Sequence, residues 1–340
     1  MNNAADVILT GLGVNNRFGG SVSSAGDVNG DGYADVIVGA YAYNSNTGRT
    51  YVYYGGASMN NAADVIMTGV STNIDFGRSV STGGDVNGDG YSDVIIGAHR
   101  FSSNTGRAYI YYGGASMNNV ADVIMTGEAN SYFGFSVYPA GDINGDGFSD
   151  IITGAHLYSS STGRAYIYYG GASMDNIADV IFTGETAGDL FGSSVSSAGD
   201  INGDGYSDII IGASGYASYT GRAYIYFGGV SMNNVSDAAF TGEEANNYFG
   251  HSVSMAGDVN GDGYSDVIAG ALGYSGNTGR AFIFDYFLKG EIVPDLIMTG
   301  DTSDIRFGYS VSTAGDVNGD GYDDVIAGAY RDNSFTGSAY

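Results

Sequence analysis

Asp27, Asn29, Asp31 and Asp35 fall within one nine-residue run, Asp-Val-Asn-Gly-Asp-Gly-Tyr-Ala-Asp, whose side chains at positions 1, 3, 5 and 9 all carry oxygen. The backbone carbonyl of Tyr33 adds another oxygen at position 7. Oxygen donors in a flexible loop suit a hard divalent cation that takes about six to eight of them, and calcium fits best. Gly32 at position 6 allows the sharp reversal that makes the side chains converge. The run recurs five times: Asp85, Asn87, Asp89, Tyr91 and Asp93; Asp142, Asn144, Asp146, Phe148 and Asp150; Asp200, Asn202, Asp204, Tyr206 and Asp208; Asp258, Asn260, Asp262, Tyr264 and Asp266; Asp316, Asn318, Asp320, Tyr322 and Asp324. Asp-Gly and Asn-Gly pairs also make ordinary turns. Six copies of the set, spaced 57 or 58 residues apart, instead point to about six structural Ca²⁺ sites. An EF-hand loop would need Glu at position 12, where this chain has Val38, Ile96, Thr153, Ile211, Ala269 and Ala327.

Short strands must hold these loops. In the second period, Ser79–Thr82 alternates small residues before the loop, and Val94–Ala98 is a continuous apolar run of the kind buried on both faces. Asn104-Thr105-Gly106 turns the chain into Ala108–Tyr112, a run of high β propensity, and Asp122–Thr126 supplies a fourth strand. Nothing in the period is patterned for a helix. Four antiparallel strands in a repeat of this length predict an all-β chain and a six-bladed β-propeller, read as one domain over residues 1–340. Asp6–Thr10 copies a fourth strand and is expected to complete the last blade. The seven residues equivalent to Ile110–Ser116 are missing from the sixth period, so its third strand is a stub, as in a weakly closed propeller or a piece of a longer array.

Composition limits the partners. With 37 acidic and 11 basic residues the net charge is −26, which repels nucleic acid and anionic membranes. Six divalent cations would lift that charge to −14. Cysteine is absent, so there is no disulfide or thiol chemistry. No apolar run is long enough to span a membrane, so no membrane insertion is expected. Met1-Asn2-Asn3-Ala4 begins inside a repeat and carries no signal peptide; an export signal was removed or never belonged to this segment.

Phe-Gly precedes each first strand (Phe18-Gly19, Phe76-Gly77, Phe133-Gly134, Phe191-Gly192, Phe249-Gly250, Phe307-Gly308). Gly-Ala follows each loop (Gly39-Ala40, Gly97-Ala98, Gly154-Ala155, Gly212-Ala213, Gly270-Ala271, Gly328-Ala329). The sequence of Phe-Gly, acidic loop and Gly-Ala resembles the FG-GAP repeat, which builds the N-terminal propeller of integrin α-subunits and of bacterial surface proteins. The resemblance implies that the loop residues bind Ca²⁺ in the hairpin between the first two strands of each blade, on the lower face. It also implies a binding or adhesion module, extracellular or on a bacterial cell surface. Two departures stand out: the Pro expected after Gly-Ala is replaced by Tyr41, His99, His156, Ser214, Leu272 and Tyr330, and there are six repeats where integrins have seven. The repeats are also far more alike than an integrin's, as in a recent duplication or a constructed protein.

Variation gathers in the connection from fourth strand to next first strand (Leu12–Arg17, Val70–Asp75 and their equivalents) and in that from second to third strand (Tyr41–Thr47, His99–Thr105 and theirs). Both sets lie opposite the metal loops, with Tyr43, Arg100, Phe101, Tyr158, Tyr216, Tyr219, Tyr274 and Arg331 among them. Aromatic residues and Arg dominate binding hot spots, so the expected partner is an extracellular protein or glycan at that end. His99, His156 and His251 read as surface residues, no catalytic set is evident, and the chain reads as no enzyme. A polysaccharide-active enzyme using Glu128 and Glu185 is one alternative, and a ligand-free architectural repeat the other. The Arg opening five third strands (Arg49, Arg107, Arg164, Arg222, Arg280) reads as a tether between blades. Near-identical repeats also allow oligomers by strand or blade exchange.

Overall fold

The computed structural model describes residues 5–11, 13–285, 293–331 and 337–340. The strands form six antiparallel sheets, the blades of a β-propeller. In the first blade they are Phe18–Gly26, Asp35–Ala40, Arg49–Tyr53 and Val65–Thr68, hydrogen-bonded in sequence order. Val22 lies across from Val38, Val38 across from Tyr51, and Tyr51 across from Ile66. Two compact units are resolved: Met1–Pro139 with Phe148–Thr153 and Tyr168–Ile177, and Ala140–Gly147 with Gly154–Ile167 and Ala178–Tyr340. No helix among the described residues is long and apolar enough to cross a membrane.

Burial follows the sequence pattern. Every residue of Asp93–Ala98 is buried, as an apolar run without alternation requires. In Val65–Thr68, Val65 and Met67 face inward and Ile66 and Thr68 outward, the two-residue period of a half-covered strand. In the first unit Met67, Phe76, Ile96 and Tyr109 share one core cluster; in the second, Ile210, Phe240, Phe249 and Phe282 share another.

The two glycine motifs meet. Gly39 backs onto the Gly77 carbonyl and Gly97 onto the Gly134 carbonyl in the first unit, as Gly212 does on Gly250 and Gly270 on Gly308 in the second. A methyl group at any of the four would collide with backbone. Gly106 likewise lies against the backbone of Phe133, joined to it by a parallel bridge. Between these contacts, the Ser21 hydroxyl accepts the Val80 N–H at 3.1 Å, and Ser194 accepts that of Val253 at 3.1 Å. The Phe-Gly and Gly-Ala pairs are thus two sides of one seam between consecutive blades.

Two expectations about the fold need correction. Residues 5–11 form no strand, and the sixth sheet holds three strands, Phe307–Gly315, Asp324–Ala329 and Ser338–Ala339. A two-residue third strand pairs only Ala339 with Gly328 and Ser338 with Ala329, too short an edge for a fourth strand to extend. The second-to-third connections are also more ordered than plain turns. Asn44, Ser45 and Asn46 all have positive φ, making a single left-handed turn, and Ser102–Asn104, Ser159–Ser161 and Ala217–Tyr219 repeat it. Gly276 occupies the middle place in the fifth blade, where L-residues otherwise bear the strain. Exposed Ser103 isolates this cost. Ser103→Val is expected to lose about 1–2 kcal/mol in urea melts, whereas Ser103→Gly should stay within about 0.5 kcal/mol.

Candidate functional site

Each acidic loop links the first two strands of its blade and is folded by its own carboxylates. Asp27 Oδ1 accepts the Gly30 and Asp31 N–H groups at 2.7 and 3.1 Å, and its Oδ2 accepts that of Gly32 at 2.8 Å. Asn29 Oδ1 accepts the Asp31 N–H, Asp31 Oδ1 accepts that of Tyr33, and Asn29 Nδ2 donates to Asp31 Oδ2. Asp35 pins the loop from behind, accepting from Val28 N at 2.9 Å and from Gly55 N, in the third-to-fourth turn, at 2.7 Å. The second loop repeats this with Asp85, Asn87, Asp89, Tyr91 and Asp93. So does the fourth, with Asp200, Asn202, Asp204, Tyr206 and Asp208.

The fifth loop keeps the turn through Asp258, Asn260, Asp262 and Tyr264, while buried Asp266 Oδ1 finds no hydrogen-bond partner among the described residues. The sixth keeps it through Asp316, Asn318, Asp320 and Tyr322, with Asp324 accepting from Val317 N. In the third, Asp142, Asn144 and Asp146 form the same turn in the second unit. Phe148 and Asp150 belong to the first unit, where Asp150 is buried and accepts the Gly170 N–H at 2.8 Å.

Among the described residues, no three Asp, Glu, His or Cys side chains converge as a ready metal cage. The donor set nevertheless fits calcium. A carboxylate oxygen has two lone pairs, and Asp27 Oδ2, Asn29 Oδ1 and both oxygens of Asp31 and Asp35 each accept a single bond. Electrostatics points the same way. Burial pushes the carboxyls of Asp93, Asp208 and Asp266 up to about 7; backbone N–H groups offset part of the rise, and the acids at positions 5 and 1 add to it. Burial also raises the Asp35 pKa, with Asp31 and Asp27 contributing. A cation would remove the conflict among these acids.

The loops are also chained, a link that only the structure reveals. The Ser92 N–H donates to the Asp27 carbonyl at 3.0 Å, and Ser149 N–H to that of Asp85 at 3.0 Å. The Tyr91 ring lies against Gly30 and the Phe148 ring against Gly88; in the second unit, Tyr206 covers Gly145. The position-7 aromatic thus lies on the preceding loop.

At the other end of the blades, most of the aromatic residues are already engaged. Arg49 sits over the Tyr43 ring, Arg107 over Phe101, Arg164 over Tyr158, Arg222 over Tyr216 and Arg280 over Tyr274, at 3.5–3.8 Å. Arg222 and Arg280 also bind Glu185 and Glu243, at 2.9 and 2.6 Å, in the connection leading into their own blade, so they act as tethers. Arg331 pairs with Asp304, and Tyr219 lies on Tyr248. Residues 286–292, including Lys289, and 332–336 lie outside the described residues.

His99 departs from the expectation of a surface residue. It is buried, 3.6 Å from Asp75, and stacked on Tyr132 beside Phe135, because the pocket under the connection has room for an imidazole between a carboxylate and two rings. Above it opens a cleft of about 580 Å³ lined by Ser71, Thr72, Asn73, Arg100, Ser103 and Tyr132. Arg100 is half exposed and holds Asp75 at 3.5 Å.

The FG-GAP repeat model matches residues 18–53, 76–111, 133–168, 191–226, 249–284 and 307–340. Among curated proteins, integrin alpha-5 of Xenopus laevis is 34% identical over 219 residues, covering 59% of this chain and 20% of that protein. Integrin alpha-V of Gallus gallus is 34% identical over 216 residues, with the same coverages. Integrin alpha-PS2 of Drosophila melanogaster is 30% identical over 223 residues, covering 59% of this chain and 15% of that protein. The chain therefore spans a fifth or less of the length of these relatives. Each of the six matches begins at a Phe-Gly pair, and in the five from Phe76 onward that glycine lies in the seam with the preceding blade; the chain belongs to the FG-GAP repeat family.

Proposed function

We propose that the protein is a calcium-stabilised binding or adhesion module working outside the cell or at a cell surface. Calcium would be held in the hairpin loops by the side-chain oxygens at positions 1, 3, 5 and 9, with the carbonyls of Tyr33, Tyr91, Phe148, Tyr206, Tyr264 and Tyr322 available as further donors. When bound, it supplies positive charge where three acids crowd together; its role is structural, and the loops' own hydrogen bonds set their shape. The ligand, an extracellular protein or glycan, would sit at the opposite end of the blades. The cleft in blade two carries this reading, because its hydroxyls, amides, aromatic edge and half-exposed Arg100 all come from the variable connections. Hydroxyl and amide groups around one aromatic surface suit a polar ligand.

Arrays of glycans and extracellular matrix proteins, probed in calcium, test the reading. A ligand is expected whose affinity drops about tenfold or more in both Arg100→Ala and Tyr132→Ala, with the melting temperature little changed in the first and lowered in the second, whose lost ring stacks on buried His99. No binding anywhere on the arrays, or binding indifferent to both changes, would count against it.

A further inference from the structure

Comparison of blades two and four reveals a missing charge. In blade four the Glu185 carboxylate is held from two sides, by Arg222 Nη1 at 2.9 Å and by the Tyr224 hydroxyl at 2.8 Å. Blade two repeats both donors, 37 and 39 residues beyond the equivalent place, as Arg107 and Tyr109, but that place is Val70. Arg107 is positioned as Arg222 is, with its Nε on the Thr126 hydroxyl at 3.2 Å and its guanidinium over the Phe101 ring at 3.7 Å. No carboxylate pairs with it among the described residues. Tyr109 is 2% exposed, and its hydroxyl, beside the Arg107 guanidinium, makes no hydrogen bond of good geometry to any described residue. A buried hydroxyl without a partner costs about 1–3 kcal/mol. Val70, meanwhile, is 67% exposed and contributes no polar atom.

We propose that Arg107 and Tyr109 form a binding site for a carboxylate supplied from outside the chain, which occupies the place that Glu185 fills internally in blade four. The ligand is a small organic acid or the acidic side chain of a peptide, with an apolar stem to lie along Val70. The guanidinium supplies charge-assisted hydrogen bonds and the phenol a further donor, the same pair of contacts that the fold already uses once. The strong net negative charge limits affinity at low salt, but at physiological ionic strength it is screened beyond about 8 Å.

The test compares the wild-type protein with Val70→Glu, a change at an exposed position that supplies the carboxylate internally. Melting temperatures are measured in saturating calcium at constant ionic strength, with 100 mM propionate or 100 mM propionamide. Propionate is expected to raise the wild-type value by about 1.5 °C over propionamide, as a dissociation constant of about 20 mM would give. V70E should melt higher than wild type without ligand and lose the difference between the two probes. N-acetylglutamate N-methylamide serves as a second probe: a shift with it as well identifies an acidic side chain as a fitting source, and a shift with propionate alone a small acid. Equal responses of both proteins to propionate, or no response in either, would overturn the proposal.

Discussion

Removing calcium with a chelator at pH 7.5 is expected to lower the melting temperature by about 15 °C relative to 2 mM free calcium. About six sites with dissociation constants near 10⁻⁴ M would each contribute about 1.8 kcal/mol by mass action. A chain of this size needs about 0.7 kcal/mol per degree of shift. The calcium-free protein should also show an unusual pH dependence. Asp93, Asp208 and Asp266 have native pKa values raised to about 7, so between the ordinary carboxylate range and 7 the folded state binds more protons than the unfolded one. Stability from these groups is therefore fully present below about pH 4 and is lost as pH rises through 7, by up to about 4 kcal/mol each. In chelator, the melting temperature should fall from pH 5 to pH 8; in calcium, which favours the ionised carboxylates, that fall should vanish. A chelator curve that is flat or rises over this interval, or no calcium effect at pH 7.5, would refute the assignment of the loops as metal sites.

Gly97→Ala is expected to cost at least about 4 kcal/mol and to leave little folded protein at 37 °C. A methyl group there meets the Gly134 carbonyl, which is backbone and has no rotamer to move aside. Gly90→Ala provides the contrast. Gly90, at position 6 of the second loop, has φ of 90° but open space around its Cβ, so only backbone strain is added and the loss should be about 1–2 kcal/mol. Denaturant melts of the two variants separate crowding from conformation. Equal losses would mean that the seam can shift and that the two glycine motifs are not held by close approach.

The strands were largely legible because burial dictates their pattern. Val94–Ala98 reads as an unbroken apolar run and lies in the wholly buried strand Asp93–Ala98. Ala108–Tyr112 and Asp122–Thr126 are each within one residue of the observed Arg107–Tyr111 and Val123–Thr126 at either end. Asp6–Thr10 misleads because a strand needs an edge as well as a pattern, and its residues match Asp64–Thr68 without that edge. The acidic loop was legible as the link between the first two strands of each blade, but not the role of Asp35, whose partner Gly55 is 20 residues away and is joined through a backbone N–H that no side chain announces. Tyr43 and Phe101 looked available for binding because composition marks them as anchors, whereas their rings already lie under arginines. His99 was misplaced for a similar reason: a loop position suggests solvent, but Asp75 and Tyr132 enclose it.

The backbone seam has a consequence for how such a chain grows. Where Gly39 meets Gly77, and Gly212 meets Gly250, the two partners present peptide groups with no side chains between them. A junction made this way does not depend on which copy stands on either side. A duplicated repeat brings both halves of the joint with it, and neither neighbour has to change to receive it. Substitutions can then accumulate in the connections that adjoin this seam, because the seam itself is made of backbone. The molecule resembles a set of interchangeable parts whose couplings are standardised and whose working ends are free to differ.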